Sequence, residues 1–238
     1  MCVCMLPILA IMGGWNINVY LDTIIVPSSL FFTIGYHAYL WHQFRHKPII
    51  TSIGLNMVKR KGWMRELNEG DDKKGMLVVQ TLRNTLMYSI LTSTITILII
   101  LSLAALTSNA FNAKDIYLMG SHESSRIMVL KFGLASIFLV ASFLCSSMAV
   151  GYLVDANFLM NAIGIGVECS KSGVVLERGF MLAVVGNRVL CIAFPLLLWM
   201  FGPLPVAVSS AALVWGLYDL DFPAAHKLMP HSSSTTYA

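Results

Sequence analysis

The sequence predicts an all-α integral membrane protein: a helical bundle of four transmembrane helices followed by a proline-broken C-terminal apolar segment. Hydrophobic residues make up 57% of the 238-residue chain and charged residues only 12%, whereas a typical soluble domain has about 25% charged residues. Several windows without any charged residue reach the roughly 20 residues that a helix needs to cross a bilayer. Together these observations exclude an ordinary water-soluble globular domain.

The apolar windows define the predicted spans in chain order. We predict spans at about residues 22–41, 85–107, 132–153 and 180–201. Pro203 and Pro205 then break the apolar sequence, because proline cannot continue a helix through its interior. A shorter apolar helix follows at 205–218, and the sequence leaves open whether it crosses the membrane.

The chain divides around this membrane domain, which we place at residues 18–222. Residues 1–17 are interpreted as an N-terminal extension, and 223–238 as a disordered polar tail. The loop at 42–83 contains nine Lys and Arg residues between positions 45 and 83, so the positive-inside rule places it in the cytoplasm. Its basic cluster, Lys59, Arg60 and Lys61, precedes Trp63 and suits contact with anionic membrane lipids.

Sequence motifs of enzymes are missing. There is no HExxH, no CxxC pair, no GxSxG and no phosphate-binding loop. The six histidines lie at the end of the first span, in a loop and in the tail, without metal-ligand spacing inside a span. We therefore expect no enzymatic activity, no cofactor, no metal site and no nucleic-acid partner.

Three stretches carry a family resemblance: GYHAYLW at Gly35–Trp41, DDKKGMLVVQTLRN at Asp71–Asn84, and ERGFMLAVVGNRVLCIAFPLLLWMFGP at Glu177–Pro203. Together they resemble the plant membrane family catalogued as domain of unknown function 599, and the likeness extends over about residues 15–222. That family name implies no chemistry.

The size and hydrophobic layout are also similar to those of WeiTsing-like channels of plants. This second resemblance implies a homo-oligomer, a pentamer, that passes calcium as its permeant ion. It also implies the endoplasmic reticulum, with the plasma membrane as the alternative. The sequence itself neither selects calcium nor fixes the number of subunits.

Hydroxyl side chains form a stripe along the second predicted span. Its members are Thr81, Thr85, Ser89, Thr92 and Thr96. Their spacing of four, four, three and four residues places them on one face of a helix at 100° per residue. Ile99 and Leu103 continue the stripe and would form a hydrophobic constriction if this face lined a pore. The alternative is helix packing, in which the hydroxyls bond to carbonyls of their own helix or to neighbouring helices.

A rival polar stripe lies on the first span. Its members are Asp22, Ser29, Thr33 and His37, which share one helix face. Asp22, together with Asp115 and Glu123 in the short loop between the second and third spans, supplies candidate acids for a pore mouth. The alternative for each acid is a solvated carboxylate at the membrane surface.

Arg188 is an unusual basic residue because apolar sequence surrounds it. A cation at such a depth is costly unless it is paired or reaches the interface. We expect it to pair with Glu177, with Asp155 or with backbone carbonyls, and we favour a structural tie over a substrate counter-ion.

A second polar group lies at the entry of the second span, where Gln80 and Arg83 precede the apolar run. We expect it at a depth similar to that of Arg188 and Asn187, so that all four would form one structural polar network.

These patterns lead to one functional hypothesis with two alternatives. The hypothesis is a homo-oligomeric, cation-permeable channel that conducts calcium across an endomembrane, with itself and membrane lipids as its partners. The first alternative is a non-conducting membrane scaffold or adaptor. The second is a secondary transporter, which is weakened by the absence of an inverted repeat.

Overall fold

The computed structural model describes residues 14–67, 72–116, 122–161 and 169–222, with side chains over 24–62, 76–109, 129–160 and 172–222. Within these ranges every regular element is helical and no strand occurs. The helices are α1 (Gly14–His46), α2 (Ser52–Leu67), α3 (Asp72–Ile116), α4 (His122–Asn161), α5 (Cys169–Leu198) and α6 (Pro203–Asp221). The predicted all-α fold is confirmed. The extension before residue 14 and the tail after 222 lie outside the described residues.

Five of these helices are long and apolar enough to cross a membrane. The spans are Ile24–His46, Met76–Asn109, Val129–Met160, Ser172–Phe201 and Pro203–Asp221. Each is longer than the sequence predicted, because the helices continue past the apolar windows into their polar flanks. The last span shows that the proline-broken segment is a fifth helix of spanning length, so the prediction of four helices plus a shorter segment was incomplete.

The break before α6 is a turn rather than the end of the membrane domain. Gly202 has φ 131°, a conformation that glycine adopts without steric cost, and Pro203 begins the new helix. Pro195, by contrast, lies inside α5 without ending it. The chain therefore reverses at Gly202, and α6 returns along the bundle.

Two apolar clusters mark the two ends of the bundle. One cluster joins Leu103 of α3, Leu196 of α5 and Val206 of α6, and the other joins Leu82 of α3 to Leu176 of α5. The second cluster lies at the end where α2 packs, which we call the α2 end. The sequence predicts this end to be cytoplasmic.

The helices α4 and α5 form the closest contact in the bundle because small residues line it. Ser142 is buried and donates a hydrogen bond across the interface to the carbonyl oxygen of Gly186, at 2.7 Å. A Cβ on Gly186 would lie 3.1 Å from the backbone nitrogen of Ser146 and 3.3 Å from the carbonyl oxygen of Ser142. Small residues allow this close approach of two backbones, as in other membrane helix pairs.

The predicted loop at 42–83 is largely helical, because α2 occupies its centre and α3 already begins at Asp72. Arg60 lies over the ring of Phe180 at 4.0 Å and donates to the hydroxyl of Thr85 at 3.2 Å. Lys61 forms an ion pair with Glu177 at 3.0 Å. Burial of the Arg60 guanidinium lowers its pKa. Two residues of the basic cluster therefore attach α2 to α3 and α5.

Candidate functional site

Three helices meet at a charged pair inside the bundle. Arg188 of α5 forms a salt bridge with Asp221, the last residue of α6, through Nη2 and Oδ1. The hydroxyl of Tyr36, on α1, donates to Oδ2 of the same carboxylate at 2.6 Å. The side chain of Arg188 is 16% exposed and that of Asp221 only 2%. Both carboxylate oxygens therefore have a partner, as a buried charge requires.

This pairing corrects the expectation for Arg188, since neither Glu177 nor Asp155 is its partner. Glu177 contacts Lys61 instead, and Asp155 is exposed on α4. The sequence contained one signal for the true partner: Asp221 follows the fifth apolar segment. The helix α6 returns that residue to the half of the bundle that contains Arg188, and the sequence left undecided whether this segment crosses the membrane.

His37 borders the same cluster. Its Nδ1 lies 2.8 Å from the carbonyl oxygen of Thr33, and its ring packs edge-on against Tyr36. Ser29 and Thr33 are buried, so three members of the rival stripe on α1 point into the bundle. The side chain of Asp22, the fourth member, lies outside the described residues.

The hydroxyl stripe of α3 lies inside the subunit. Ser89, Thr92 and Thr96 are 1%, 4% and 0% exposed, and α4 is the main neighbour of α3. From Thr81 to Thr96, each hydroxyl of the stripe donates to the carbonyl four residues earlier. These contacts match the helix-packing alternative and not the alternative in which the stripe lines a pore.

The residues of the predicted hydrophobic constriction are also packed inside the subunit. Leu103 is a buried member of the apolar cluster at the end opposite α2, and Ile99 packs against that cluster. Thr85 is half-buried and accepts the hydrogen bond from Arg60. Ile99 and Leu103 therefore belong to the packed interior of the subunit.

Gln80 and Arg83 do not belong to the cluster around Arg188. Leu82 belongs to the same apolar cluster as Leu176, and Leu103 to the same cluster as Leu196. Residues at the same height on α3 and α5 are therefore about 93 positions apart in the sequence. Arg83 therefore lies roughly 15–20 Å from Arg188 along the bundle. The predicted single network is wrong.

Gln80 and Arg83 instead line a surface cleft of about 630 Å³ together with Asn157 of α4. This cleft lies at the α2 end, near the cluster that contains Leu82. Asn187, predicted as a fourth member of the network, is half-buried beside Arg188 on α5.

The other predicted mouth acids lie in helices rather than in a loop. Asp115 is in the last turn of α3, and Glu123 is the second residue of α4. Their side chains lie outside the described residues, so their role stays a prediction. Within the described part of the chain, no group of three His, Cys, Asp or Glu side chains could hold a metal ion.

The outward face of α4 is a feature that the sequence reasoning missed. Its members are exposed and spaced three or four residues apart: Gly133, Ile137, Val140, Leu144, Ser147, Gly151 and Asp155. Three branched apolar residues occupy the centre of the row, small residues flank them on both sides, and a carboxylate ends the row at the α2 end. The spacing was visible in the sequence, but without the fold it could not be assigned to the outside of the bundle.

The fold and the buried charges define a helical integral membrane protein with five helices of spanning length. The chain matches the DUF599 family of proteins of unknown function over residues 24–225, and it belongs to that family. The family resemblance expected from the sequence is confirmed. No curated protein and no solved structure matches the chain.

Proposed function

We propose that this protein is a homo-oligomeric, cation-permeable channel whose conduction path follows an axis shared by its subunits and lined by α4. Calcium as the permeant ion, five subunits and the endoplasmic reticulum membrane are the proposed specifics, and they rest on the resemblance to WeiTsing-like channels. Two structural features support the proposal: the interior of the subunit is packed, and the outward face of α4 has side chains that could line a path between subunits.

The packed interior argues for a shared axis. The hydroxyls of the α3 stripe donate to carbonyls of their own helix, and the core on either side of them is apolar. A continuous row of water molecules needs polar groups that are free to bind it. A ring of subunits provides such a path outside each bundle, as closed symmetric oligomers do.

The side chains on the outward face of α4 change from apolar to small to acidic along the helix, as a conduction path with a constriction and a charged mouth requires. Ile137, Val140 and Leu144 would form an apolar constriction in the middle of the membrane, while Ser147 and Gly151 would widen the path beyond it. Asp155, repeated around the ring, would concentrate cations at the α2 end. Carboxylate oxygens are also ligands that calcium accepts. The exposed Asp155 at the end of this face is the observation that carries the proposal.

The position of Asp155 fits a mouth rather than the centre of the membrane. Lys131, near the other end of α4, donates to the carbonyl oxygen of Trp199 at 3.4 Å. The 24 residues from Lys131 to Asp155 correspond to about 36 Å of helix, slightly more than the roughly 30 Å hydrocarbon core. The two charged groups therefore border the apolar layer at its two ends.

Single-channel recording in planar bilayers tests the proposal. We expect discrete cation currents from the purified protein, and Asp155→Asn should lower the cation-over-anion permeability ratio about tenfold because the ring of charge is lost. Thr92→Val is the matched control: it removes a hydroxyl of the buried stripe and should leave conductance and selectivity unchanged. Unchanged selectivity in Asp155→Asn would remove α4 from the path. The absence of any current from correctly assembled protein would favour a membrane scaffold.

A further inference from the structure

A membrane-facing groove lies between α1 and α5, beside the charged pair. It has a volume of about 210 Å³, and its walls are almost entirely apolar, with Trp41 and Phe44 on one side and Val185 and Ile192 on the other. Ile53 of α2 also contributes to the lining. Trp41 and Val185 are exposed at the surface of the bundle, so the groove opens toward lipid.

Two buried polar atoms belong to residues that line this groove. Nη1 of Arg188 and Nε2 of His37 have no hydrogen-bond partner among the described residues. Leaving such a group buried without a partner costs about 1–3 kcal/mol, so two of them beside one cavity indicate a missing partner. The other guanidinium nitrogen, Nη2, is already engaged with Asp221.

One of the two atoms is a hydrogen-bond donor and the other is an acceptor. Nη1 of Arg188 can only donate. Nδ1 of His37 faces the carbonyl oxygen of Thr33, which can only accept, so Nδ1 must carry the hydrogen. The other nitrogen of the neutral ring, Nε2, is then an acceptor. One donor and one acceptor without partners therefore belong to residues that border the groove.

A hydroxyl group satisfies this pair, since it accepts from Arg188 and donates to His37. A carboxylate could not donate, and an ammonium group could not accept. The site also lacks a net positive charge that would attract an anion, because Asp221 balances Arg188. The apolar walls require an apolar body attached to the hydroxyl.

We propose that this groove binds an uncharged, hydroxyl-bearing membrane lipid, of the sterol or diacylglycerol class, with its hydroxyl between Arg188 and His37. The hydroxyl makes the two missing hydrogen bonds, and the adjoining part of the lipid fills the groove. The rest of the molecule extends through the open side into the bilayer. This inference is independent of the proposed conduction path, which lies on α4.

Photolabelling in nanodiscs of phosphatidylcholine tests the binding. The purified full chain is labelled with a photoactivatable sterol, a photoactivatable diacylglycerol, the O-methyl ether of each of these two probes and a photoactivatable fatty acid. At least one of the two alcohols should label peptides containing Trp41 or Val185 at least about fivefold more than its own ether, which cannot donate to His37. The stronger alcohol identifies the lipid class. Equal labelling by alcohol and ether, or preferential labelling by the fatty acid, would overturn the proposal.

Two substitutions locate the site. His37→Phe keeps a ring but removes the acceptor, and it should weaken alcohol labelling about three- to tenfold. Val185→Trp leaves both polar groups in place and should abolish labelling by filling the groove. Val208→Trp, at an exposed position on α6, is the matched control and should have no effect. Unchanged labelling in Val185→Trp would show that the lipid binds elsewhere.

Discussion

Asp221→Ala is expected to lower the free energy of unfolding by about 3–5 kcal/mol, because it leaves the buried guanidinium of Arg188 without its counter-charge. The hydroxyl of Tyr36 loses its acceptor in the same step. Unfolding in mixed micelles, followed by tryptophan fluorescence or circular dichroism, measures the loss. Asp155→Ala is the control, since an exposed carboxylate should change stability by no more than about 0.5 kcal/mol.

A variant without the two charges distinguishes the electrostatic effect of the ion pair from the packing of its side chains. Replacing the pair together, as Arg188→Met with Asp221→Leu and Tyr36→Phe, removes both charges and the orphaned hydroxyl. This variant should recover most of the lost stability, as other buried pairs do when both partners become apolar. If the triple variant is less stable than Asp221→Ala, Asp221 does more in the folded protein than compensate the charge of Arg188.

Gly186→Val should cause the second large effect, because its side chain would enter the backbone of α4. The predicted Cβ contacts at Ser142 and Ser146 include backbone atoms, which cannot rotate away. Overpacking of this kind costs about 1–3 kcal/mol, and the hydrogen bond from Ser142 should be lost as well.

The control for Gly186→Val is the same change at Gly35, where a Cβ would meet nothing within 4 Å. Gly35→Val carries the same cost of a β-branched residue in a helix without the steric clash. A loss of stability equal in the two variants would show that the close approach of α4 and α5 is not what Gly186 permits.

The membrane class and most of the helices could be predicted because hydrophobic length is a strong local signal. Charge-free windows located the first four helices of spanning length and the apolar segment of the fifth, and the hydroxyl spacing on α3 placed Ser89, Thr92 and Thr96 on one buried face. Helix periodicity shows which residues share a face. It does not show what that face contacts. The same residue spacing is therefore compatible with a pore-lining stripe and with a stripe that packs against another helix.

The candidate sites could not be predicted because they depend on contacts between distant parts of the chain. Arg188 and Asp221 are 33 residues apart, and Tyr36 and Asp221 are 185 residues apart. Their meeting requires α6 to return along the bundle, and the interrupted sequence left open whether this segment crosses the membrane. The groove beside His37 requires in addition that α1 packs on α6 next to α5, for which no local pattern exists.

Cysteine cross-linking between subunits tests most directly whether α4 lines a shared axis. In a background with the native cysteines replaced by alanine, Leu144→Cys on α4 is compared with Leu98→Cys on the outward side of α3. The two positions are matched, with 54% and 58% of their surface exposed in one subunit. On mild oxidation in native membranes, we predict disulfide-linked dimers from Leu144→Cys and none from Leu98→Cys. Cross-linking at Leu98 but not at Leu144 would contradict the shared axis along α4.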